Sequence, residues 1–570
     1  MALDLLIKNG LVVDGTGAEP YRGNVGVKDG RIVAVGDVKE SAAKVLDVDG
    51  LAVSPGFWDI HTHYDAQLLW DPIATSSSWH GVTTVVMGNC GLTIAPCKPQ
   101  DQEYIAKMLS RVEGMDLDVL KRTLPWSWES YGEYIDALEP HLGINAAILA
   151  GHSTIRRYVM GPESAERTAT GAEVDEMKRA LHECMDAGAF GFSTGRVITH
   201  ADGDGNPVGS RVADLSEIYA LAGVLRDFER GYVQLAVGPD FNKYSDEGRQ
   251  RLSELARVSQ RTVCINSITQ SRQDPSGWRD VLRWMHDLDQ EGRTIIALGN
   301  VLPRRLQFNL KFTNFFDRYA LWQKVLLPDG KEKMKLLGDP GVRSRLRREM
   351  EEFDDPFFRQ NPLTWDRIAL FRGATESSKR FEGKTLVEIG AALGKDPLDA
   401  MLDISLEENL ETQFIQLTKQ DEEVVSTIFR SPHFLLEQSD AGAHVVTEVN
   451  TGFPTHVLGY WVRERQVMSL QEAVWRLSGL PAHELGVTGR GEIREGQAAD
   501  LVVFDPESVG AGEGVFANDL PGGHPRLVQH AKGIVYTMVN GQMTLDHGSY
   551  TGAEGGIVLR ANTNGASAPA

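Results

Sequence analysis

The stretch GFWDIHTHYD, residues 56–65, is the starting point for the fold, because it places two histidines one residue apart directly after an apolar run. In an extended strand alternate side chains share a face, so His61 and His63 would project to the same side. Two imidazoles arranged in this way can bind one metal ion. The alternative is a structural pair of histidines near a strand end, and an isolated H-x-H does not decide between the two.

Further apolar runs follow this stretch, and most are separated by segments with helical spacing, such as residues 171–187 and 246–260. Eight strands that alternate with helices predict an α/β fold, a (β/α)8 TIM-like barrel with its active site at the C-terminal strand ends. An open doubly wound sheet is the alternative, but no G-x-G-x-x-G follows an early strand. The eight predicted runs are VSPGFWDI, GVTTVVMGN, INAAILAG, GAFGFSTG, YVQLAVG, TVCINSIT, TIIALGN and FLLEQSDAG.

The two ends of the chain share a β-rich pattern, with Asn-Gly and Asp-Gly turns near the N-terminus that are typical of hairpins. We expect residues 1–55 and 486–560 to form a small composite β-sandwich beside a barrel of residues 56–485. Residues 561–570 are small and polar, which predicts a disordered tail. The segment from about residue 303 to 385 is too long for an ordinary loop, so it is a candidate lid or oligomer contact.

The composition limits the classes of partner. The net charge is −21, from 58 basic and 79 acidic residues, which argues against binding to a phosphate backbone and so against nucleic acid. No run approaches the roughly 20 apolar residues of a membrane span, and the first residues lack the pattern of a signal peptide. Only four cysteines occur in 570 residues, which argues against a disulfide framework. We therefore expect a cytoplasmic protein, with a homo-oligomer left open.

Polar side chains fall at the ends of four predicted strands. His61 and His63 end the first strand, Cys90 follows the second, His152 the third and Asp440 the eighth. Imidazole, thiolate and carboxylate are all zinc ligands, and a barrel would bring these strand ends around one axis. The alternatives are purely structural roles: a buried thiol at Cys90, a helix N-cap at Asp440 and a supporting hydrogen bond from His152.

Five motifs resemble the amidohydrolase superfamily, and within it the D-aminoacylase (N-acyl-D-amino-acid deacylase) branch. The motifs are SPGFWDIHTHYD, GVTTVVMGNCG, GHSTIR, SDAGAH and GRGEIREGQAADLVVFDP. The resemblance implies that His61, His63 and Cys90 bind one or two Zn²⁺ ions and that Asp440 contacts the metal and moves protons. It also implies cleavage of an amide bond in an N-acyl amino acid or related small molecule, with metal-bound hydroxide as the nucleophile.

The chain departs from that branch in two places. D-aminoacylases carry histidine ligands at the ends of strands five and six, whereas YVQLAVGPD and TVCINSITQ contain none. Gln234 and Asn266 are the possible replacements, and amide oxygens are weaker zinc ligands than imidazole. The branch also has an arginine-bearing stretch after strand eight, which VVTEVNTGFPTHVLG lacks. The candidates for the role of that arginine are Arg156, Arg157, Arg196 and Arg304. His200 and His444 are candidates for other contacts in the pocket.

Two rival functions follow from these departures. The same carbonyl chemistry could act on a cyclic amide, an ester or a carbon–carbon bond next to a carbonyl. A barrel that has lost metal ligands could also be an inactive binding protein. Metal content and the substrate range distinguish these rivals from an amide hydrolase.

Overall fold

The computed structural model describes residues 2–271, 274–299, 301–303, 305–311, 313–355, 358, 362–418, 421–436 and 438–561. These residues form a mixed α/β fold with five sheets. The predicted disordered tail lies, from residue 562 onward, outside the described residues, and so does Arg304. Among the described helices, none combines the length and apolar character needed to cross a bilayer.

The strands are numbered in chain order. They are β1 (Leu3–Val12), β2 (Tyr21–Lys28), β3 (Arg31–Gly36), β4 (Ala42–Asp47), β5 (Ala52–Pro55), β6 (Phe57–Asp59), β7 (Val82–Met87), β8 (Asn145–Ile148), β9 (Ala150–Gly151), β10 (Gly191–Gly195), β11 (Tyr232–Ala236), β12 (Val263–Ile265), β13 (Ile295–Leu298), β14 (Arg305–Phe308), β15 (Ile368–Arg372), β16 (Gln413–Leu417), β17 (Phe434–Leu435), β18 (Leu501–Phe504), β19 (Gly510–Leu520), β20 (His524–Lys532), β21 (Ile534–Val539), β22 (Gln542–Asp546), β23 (Ser549–Tyr550) and β24 (Val558–Leu559).

The α-helices are numbered in the same way. They are α1 (Gln102–Glu113), α2 (Leu117–Thr123), α3 (Tyr131–Leu138), α4 (His152–Met160), α5 (Gly171–Ala187), α6 (Gly209–Val212), α7 (Leu215–Val224), α8 (Asp246–Ser259), α9 (Gly277–Gln290), α10 (Ala320–Leu326), α11 (Gly330–Gly338), α12 (Pro340–Glu352), α13 (Glu376–Lys379), α14 (Leu386–Leu393), α15 (Pro397–Glu407), α16 (Glu422–Phe429), α17 (Phe453–His456), α18 (Leu470–Val474) and α19 (Leu480–Glu484).

Local sequence signals fix the ends of several helices. Helix α5 starts at a capping box, in which the Thr170 hydroxyl accepts from the backbone of Glu173 and the Glu173 carboxylate accepts from the backbone of Thr170. It ends at Gly188, whose φ of 114° is readily adopted only by glycine. Helices α3 and α14 begin at the same kind of box. These are positions where sequence alone predicts helix boundaries well.

Two all-parallel sheets hold the strands that the apolar runs predict. One has the order β17-β13-β12-β11-β10-β9, and the other has the order β24-β8-β7-β6. Seven of the eight predicted runs contain one of these strands, and the run INAAILAG contains two, β8 and β9, separated only by Leu149. Every residue of β7 is buried, as expected for a parallel strand covered on both faces. Because neighbours run parallel, their C-terminal ends lie along the same edge.

A nine-stranded sheet combines the two ends of the chain. Strand β5 from the N-terminal part pairs antiparallel with β18 from the C-terminal part, with Ala52 opposite Phe504 and Pro55 opposite Leu501. Ile7 from the first part and Met538 from the second belong to one buried apolar cluster. The β-rich pattern at the two ends therefore reflects strands that share a single sheet.

A third unit lies between β13 and β17. Strands β14 and β15 flank β16 in an antiparallel sheet, and a hydrophobic cluster of its own includes Phe316, Trp322 and Phe414. The predicted segment 303–385 supplies two of these strands, and later residues supply the central one. An ion pair of 2.6 Å between Arg111 of α1 and Asp317 ties this unit to the rest of the chain.

Candidate metal centre

His61 and His63 lie on the extended segment that follows β6. The N–H of His63 donates to the Ala441 carbonyl at 2.7 Å, and the carbonyl of His61 accepts from the N–H of Asp440 at 3.1 Å. On the other side the N–H of Thr62 donates to the Val86 carbonyl at 3.0 Å. The segment is thus held between the ends of β7 and the region after β17. Both imidazoles are buried, and their ring centroids are 5.5 Å apart.

Cys90 follows β7 in a left-handed conformation, with φ of 59°. For a residue with a side chain this conformation costs about 1–2 kcal/mol, so the surroundings must stabilise it. The backbone N–H of Cys90 donates to Oε1 of Gln234 at 2.7 Å, and that of Gly91 donates to Oγ of Ser193 at 3.1 Å. In this conformation Sγ of Cys90 lies 3.5 Å from Nε2 of His61.

Asp440 also has a left-handed backbone, with φ of 56°. Its Oδ1 lies 3.2 Å from Nε2 of His61 and 3.6 Å from Nε2 of His63. The side chain is 21% exposed, whereas those of the two histidines are at most 3% exposed. Asp440 is therefore the member of the cluster that faces open space.

The donor atoms of His61, His63 and Cys90 lie within 4.8 Å of one another, close enough to hold one zinc ion. With Zn–N near 2.0 Å and Zn–S near 2.3 Å, tetrahedral ligand atoms lie about 3.3–3.7 Å from one another. Nε2 of His61 lies 3.5 Å from Sγ of Cys90 and 3.2 Å from Oδ1 of Asp440, and the same Oδ1 lies 3.6 Å from Nε2 of His63. Two imidazoles, one thiolate and one carboxylate form a donor set that zinc accepts.

The charged groups of the cluster stabilise one another in their ionised forms. Burial lowers the pKa of His61, but Cys90 and Asp440 beside it outweigh burial and raise this pKa to about 9. Burial opposes ionisation of the Cys90 thiol as well, yet the neighbouring histidines leave its pKa lowered. The same histidines hold the pKa of Asp440 well below its ordinary value despite burial. The two anionic donors are therefore stabilised in the ionised forms that bind a cation.

Glu113 is a member of the site that the sequence did not single out. It is the last residue of α1, it is 2% exposed, and its Oε1 lies 3.5 Å from Nδ1 of His63. A carboxylate on the far nitrogen of a metal-binding histidine fixes the ring orientation and the tautomer. Its only sequence signal is an acidic residue on the otherwise apolar face of a helix, which is too weak to identify a partner.

Gln234 and Asn266 occupy the strand ends where the resemblance implies histidines. Oε1 of Gln234 accepts from the Cys90 backbone, and its Nε2 lies 3.5 Å from Oδ1 of Asn266. The amide oxygen of Gln234 is thus already used in positioning Cys90. These two residues support the cluster geometrically instead of adding strong ligands to it.

His152 is bonded at both ring nitrogens. Nδ1 lies 2.8 Å from Oγ1 of Thr194, and Nε2 lies 2.8 Å from Oε1 of Glu217. Glu217 also accepts from the guanidinium of Arg156, which donates in addition to the carbonyl of Ser164. His152 and Arg156 therefore form a buried network in which neither offers a free group to a substrate.

The other candidate arginines within the described residues are also paired. Arg196 donates to Asp240 at 2.9 Å and to three backbone carbonyls, those of residues 210, 211 and 213. Nε of Arg157 donates to Asp101 at 2.6 Å. Their hydrogen bonds hold the loops around the strand ends together.

His200 and His444 lie close to the charged groups of the cluster. Burial, with His63 and His444 nearby, lowers the pKa of His200 to about 3, so this ring is neutral. His444 has donor atoms within 4.8 Å of those of Asp440 and Glu448. Both histidines are thus neighbours of the charged groups of the cluster.

A cavity of about 360 Å³ opens beside Asp440. One wall is apolar and comes largely from α16 and the strand that follows it, with Val425, Ile428 and Phe434 among its residues. Arg318 from the third unit lines the same cavity. The cluster is therefore accessible from a space large enough for a small organic molecule.

Comparison with known proteins gives the relatives of this chain. The model of the Amidohydrolase family matches residues 44–349 and 438–545. An uncharacterized protein of Mycobacterium tuberculosis (strain ATCC 25618 / H37Rv) is 30% identical, over 96% of this chain and 93% of that protein. The D-aminoacylase of Alcaligenes xylosoxydans xylosoxydans is 28% identical, over 98% of this chain and 97% of that enzyme.

The fold is also similar to that of a solved enzyme. The crystal structure of N-acyl-D-glutamate deacylase from Bordetella bronchiseptica, complexed with zinc and a phosphonate inhibitor that mimics the tetrahedral intermediate, has a TM-score of 0.68 to this chain. The two chains are 25% identical, with 98% of this chain and 100% of that chain covered. Together with the family match over more than half of its residues, this similarity shows that the chain belongs to the amidohydrolase family.

Proposed function

We propose that this protein is a zinc-dependent amidohydrolase that removes the acyl group from an N-acyl amino acid. The observation that carries the proposal is the cluster of His61, His63 and Cys90, with Asp440 in contact with both histidines and lining a cavity. The relatives with assigned activities, a D-aminoacylase and an N-acyl-D-glutamate deacylase, support the substrate class. N-acyl-D-amino acids are accordingly the first compounds to test.

His61, His63 and Cys90 would hold the ion, with Asp440 as a further ligand. Bound zinc would supply Lewis-acid chemistry, lowering the pKa of water toward about 7 and polarising a carbonyl group. Asp440 accepts the proton of the attacking water at Oδ1 and returns it to the leaving nitrogen. Glu113 orients the ring of His63, and Gln234 holds the backbone of Cys90.

We also propose the finer architecture. The two parallel sheets form one closed (β/α)8 barrel, supported by the run that contains both β8 and β9 and by the parallel bridge between Thr62 and Ala441. Residues 1–55 and 486–560 form a composite β-domain beside a barrel of residues 56–485. The insertion extends to about residue 417, where β16 ends. A cytoplasmic location is supported by four cysteines that are all free thiols.

The test combines metal analysis with a substrate screen. Zinc content per chain is measured for the wild type, Cys90→Ala and Asp440→Asn after purification without chelators. Hydrolysis of N-acetyl-D- and N-acetyl-L-amino acids is then followed by release of the free amine. We expect near-stoichiometric zinc and hydrolysis in the wild type, with less zinc in Cys90→Ala. Bound zinc with activity only on lactams or esters would replace this function by a rival, and absence of zinc would overturn it.

A further inference from the structure

We propose that Arg318 binds the carboxylate of the substrate, and that an apolar wall of the same cavity selects N-acyl amino acids whose side chain is apolar. The inference rests on the proposed function and adds to it the residue and the substrate class. It starts from the position of Arg318, which lines the same cavity as Asp440 although it comes from the third unit, between β14 and α10.

Arg318 carries a charge that no carboxylate among the described residues neutralises. Its Nε is buried and donates no hydrogen bond to any of those residues. The contact that its guanidinium makes is with the ring of Phe358, whose centroid is 4.4 Å away. Burial lowers the pKa of this group, but an arginine remains protonated in proteins. A desolvated, uncompensated cation is unfavourable, and an anionic ligand relieves that penalty.

Among the described residues, the carboxylates that line the cavity or adjoin Arg318 in sequence are already engaged. Asp317, the residue before Arg318, is paired with Arg111 at 2.6 Å. Asp421, which also lines the cavity, caps α16 by accepting the N–H groups of Glu423 and Val424 at 3.1 and 3.3 Å. Asp440 faces the histidines. Arg318 is therefore poised for a ligand instead of an internal ion pair.

The cavity offers an apolar wall for the side chain of the substrate. This wall contains Val425, Ile428 and Phe429 of α16, followed by Phe434, whereas Arg367, which also lines the cavity, already has a partner. An apolar side chain placed there would be removed from water, which is favourable by about 25 cal/mol per Å² of buried apolar surface. An acidic side chain at the same wall would lose hydration without gaining a partner. N-acetyl-D-leucine therefore fits this cavity better than N-acetyl-D-glutamate.

The experiment compares a charged and an uncharged substrate. Hydrolysis of N-acetyl-D-leucine and of N-acetyl-D-leucinamide, which lacks the carboxylate, is measured with wild type, Arg318→Gln and Arg318→Lys. We expect Arg318→Gln to raise KM for the acid about 10- to 100-fold, the effect of losing a hydrogen bond to a charged group, and to leave the amide nearly unchanged. Arg318→Lys should recover part of the loss, because it keeps the charge but not the planar fork.

The matched control is Arg348→Gln, an exposed arginine on α12 of the same unit. It should behave as the wild type with both substrates. Equal losses on the acid and the amide in Arg318→Gln would overturn the inference, since they indicate a structural role. A wild type that prefers N-acetyl-D-glutamate over N-acetyl-D-leucine would overturn the part about the apolar wall.

Binding separates a failure of this inference from a failure of the proposed function. Calorimetric titration of zinc-loaded protein with N-acetyl-D-leucine needs no turnover. Weaker binding to Arg318→Gln than to wild type, together with no hydrolysis by either, would support the anion site and refute the deacylase function. Equal binding, or no binding to the wild type, would overturn the role of Arg318 whatever the activity.

Discussion

Oε1 of Glu113 lies 3.5 Å from Nδ1 of His63, while Nε2 of the same ring lies 3.6 Å from Asp440. The imidazole is therefore held between a buried carboxylate on one side and the donor cluster on the other. This arrangement links the end of α1 directly to the candidate metal centre, although Glu113 is not itself a ligand.

Replacing Glu113 by glutamine should weaken metal binding about 10- to 100-fold, because the ring of His63 loses its charged partner but keeps its volume. The measurement is the zinc Kd, obtained by competition with a chromophoric chelator. Glu103→Gln on the exposed side of the same helix is the control. An unchanged Kd in Glu113→Gln would show that the contact has no influence on the ion.

Gln234→Ala should reduce both stability and zinc occupancy. The buried N–H of Cys90 loses its acceptor, which costs about 1–3 kcal/mol in the free energy of unfolding, and the strained backbone of Cys90 loses its support. Urea unfolding of the metal-free protein measures the first effect. Gln471→Ala, at an exposed hydrogen bond, should stay close to the wild type, and equal midpoints for all three proteins would contradict the prediction.

Asp440→Asn should lower kcat by about 100- to 10,000-fold, the range for loss of a general acid–base group. Zinc should be retained at least in part, since His61, His63 and Cys90 remain. Activity and metal content are therefore measured on the same preparation. Full loss of zinc would assign Asp440 mainly to binding, and unimpaired turnover would remove it from the proton transfer.

The environment of His80, away from the metal centre, predicts that the protein loses stability in acid. Its ring nitrogens bond to Oγ1 of Thr455 at 2.7 Å and to the carbonyl of Gln529 at 2.9 Å, and burial lowers its pKa from 6.5 to about 4. The unfolded state therefore binds the proton more tightly, so this group contributes stability that is present above pH 6.5 and is lost as the pH falls toward 4.

The measurement for His80 is the free energy of unfolding at several pH values between 4 and 7.5. His80→Gln should be less stable than the wild type at pH 7.5, and the difference should shrink as the pH falls. Subtracting the two curves removes the contributions of other titrating groups. A difference that stays constant over this range would refute the assignment.

The strands were predictable because continuous apolar runs are typical of parallel strands covered on both faces. The proximity of His61, Cys90 and Asp440 was also predictable, since parallel strands end at one edge. The hydrogen-bond partners of the polar residues could not be predicted from the sequence. Glu217 and Asp240, which engage His152 and Arg196, come from later parts of the chain, and no local pattern connects them.

Glu113 and Arg318 were missed for the same physical reason. Helical periodicity shows which face of α1 is buried but not which side chain that face meets. Arg318 is one of several arginines in a charged segment, and what distinguishes it is the absence of a counter-ion among the described residues. Such a property depends on three-dimensional surroundings and leaves no mark in the residue order.

The pairing of β5 with β18 has a consequence for synthesis on the ribosome. Ala52 meets Phe504 in the finished sheet, so an early strand waits for a partner translated roughly 450 residues later. At about 5–20 residues per second this delay is on the order of 20–90 s. Throughout that interval the edge of β5 that later pairs with β18 is unpaired, and an unpaired strand edge is a template for pairing with another chain.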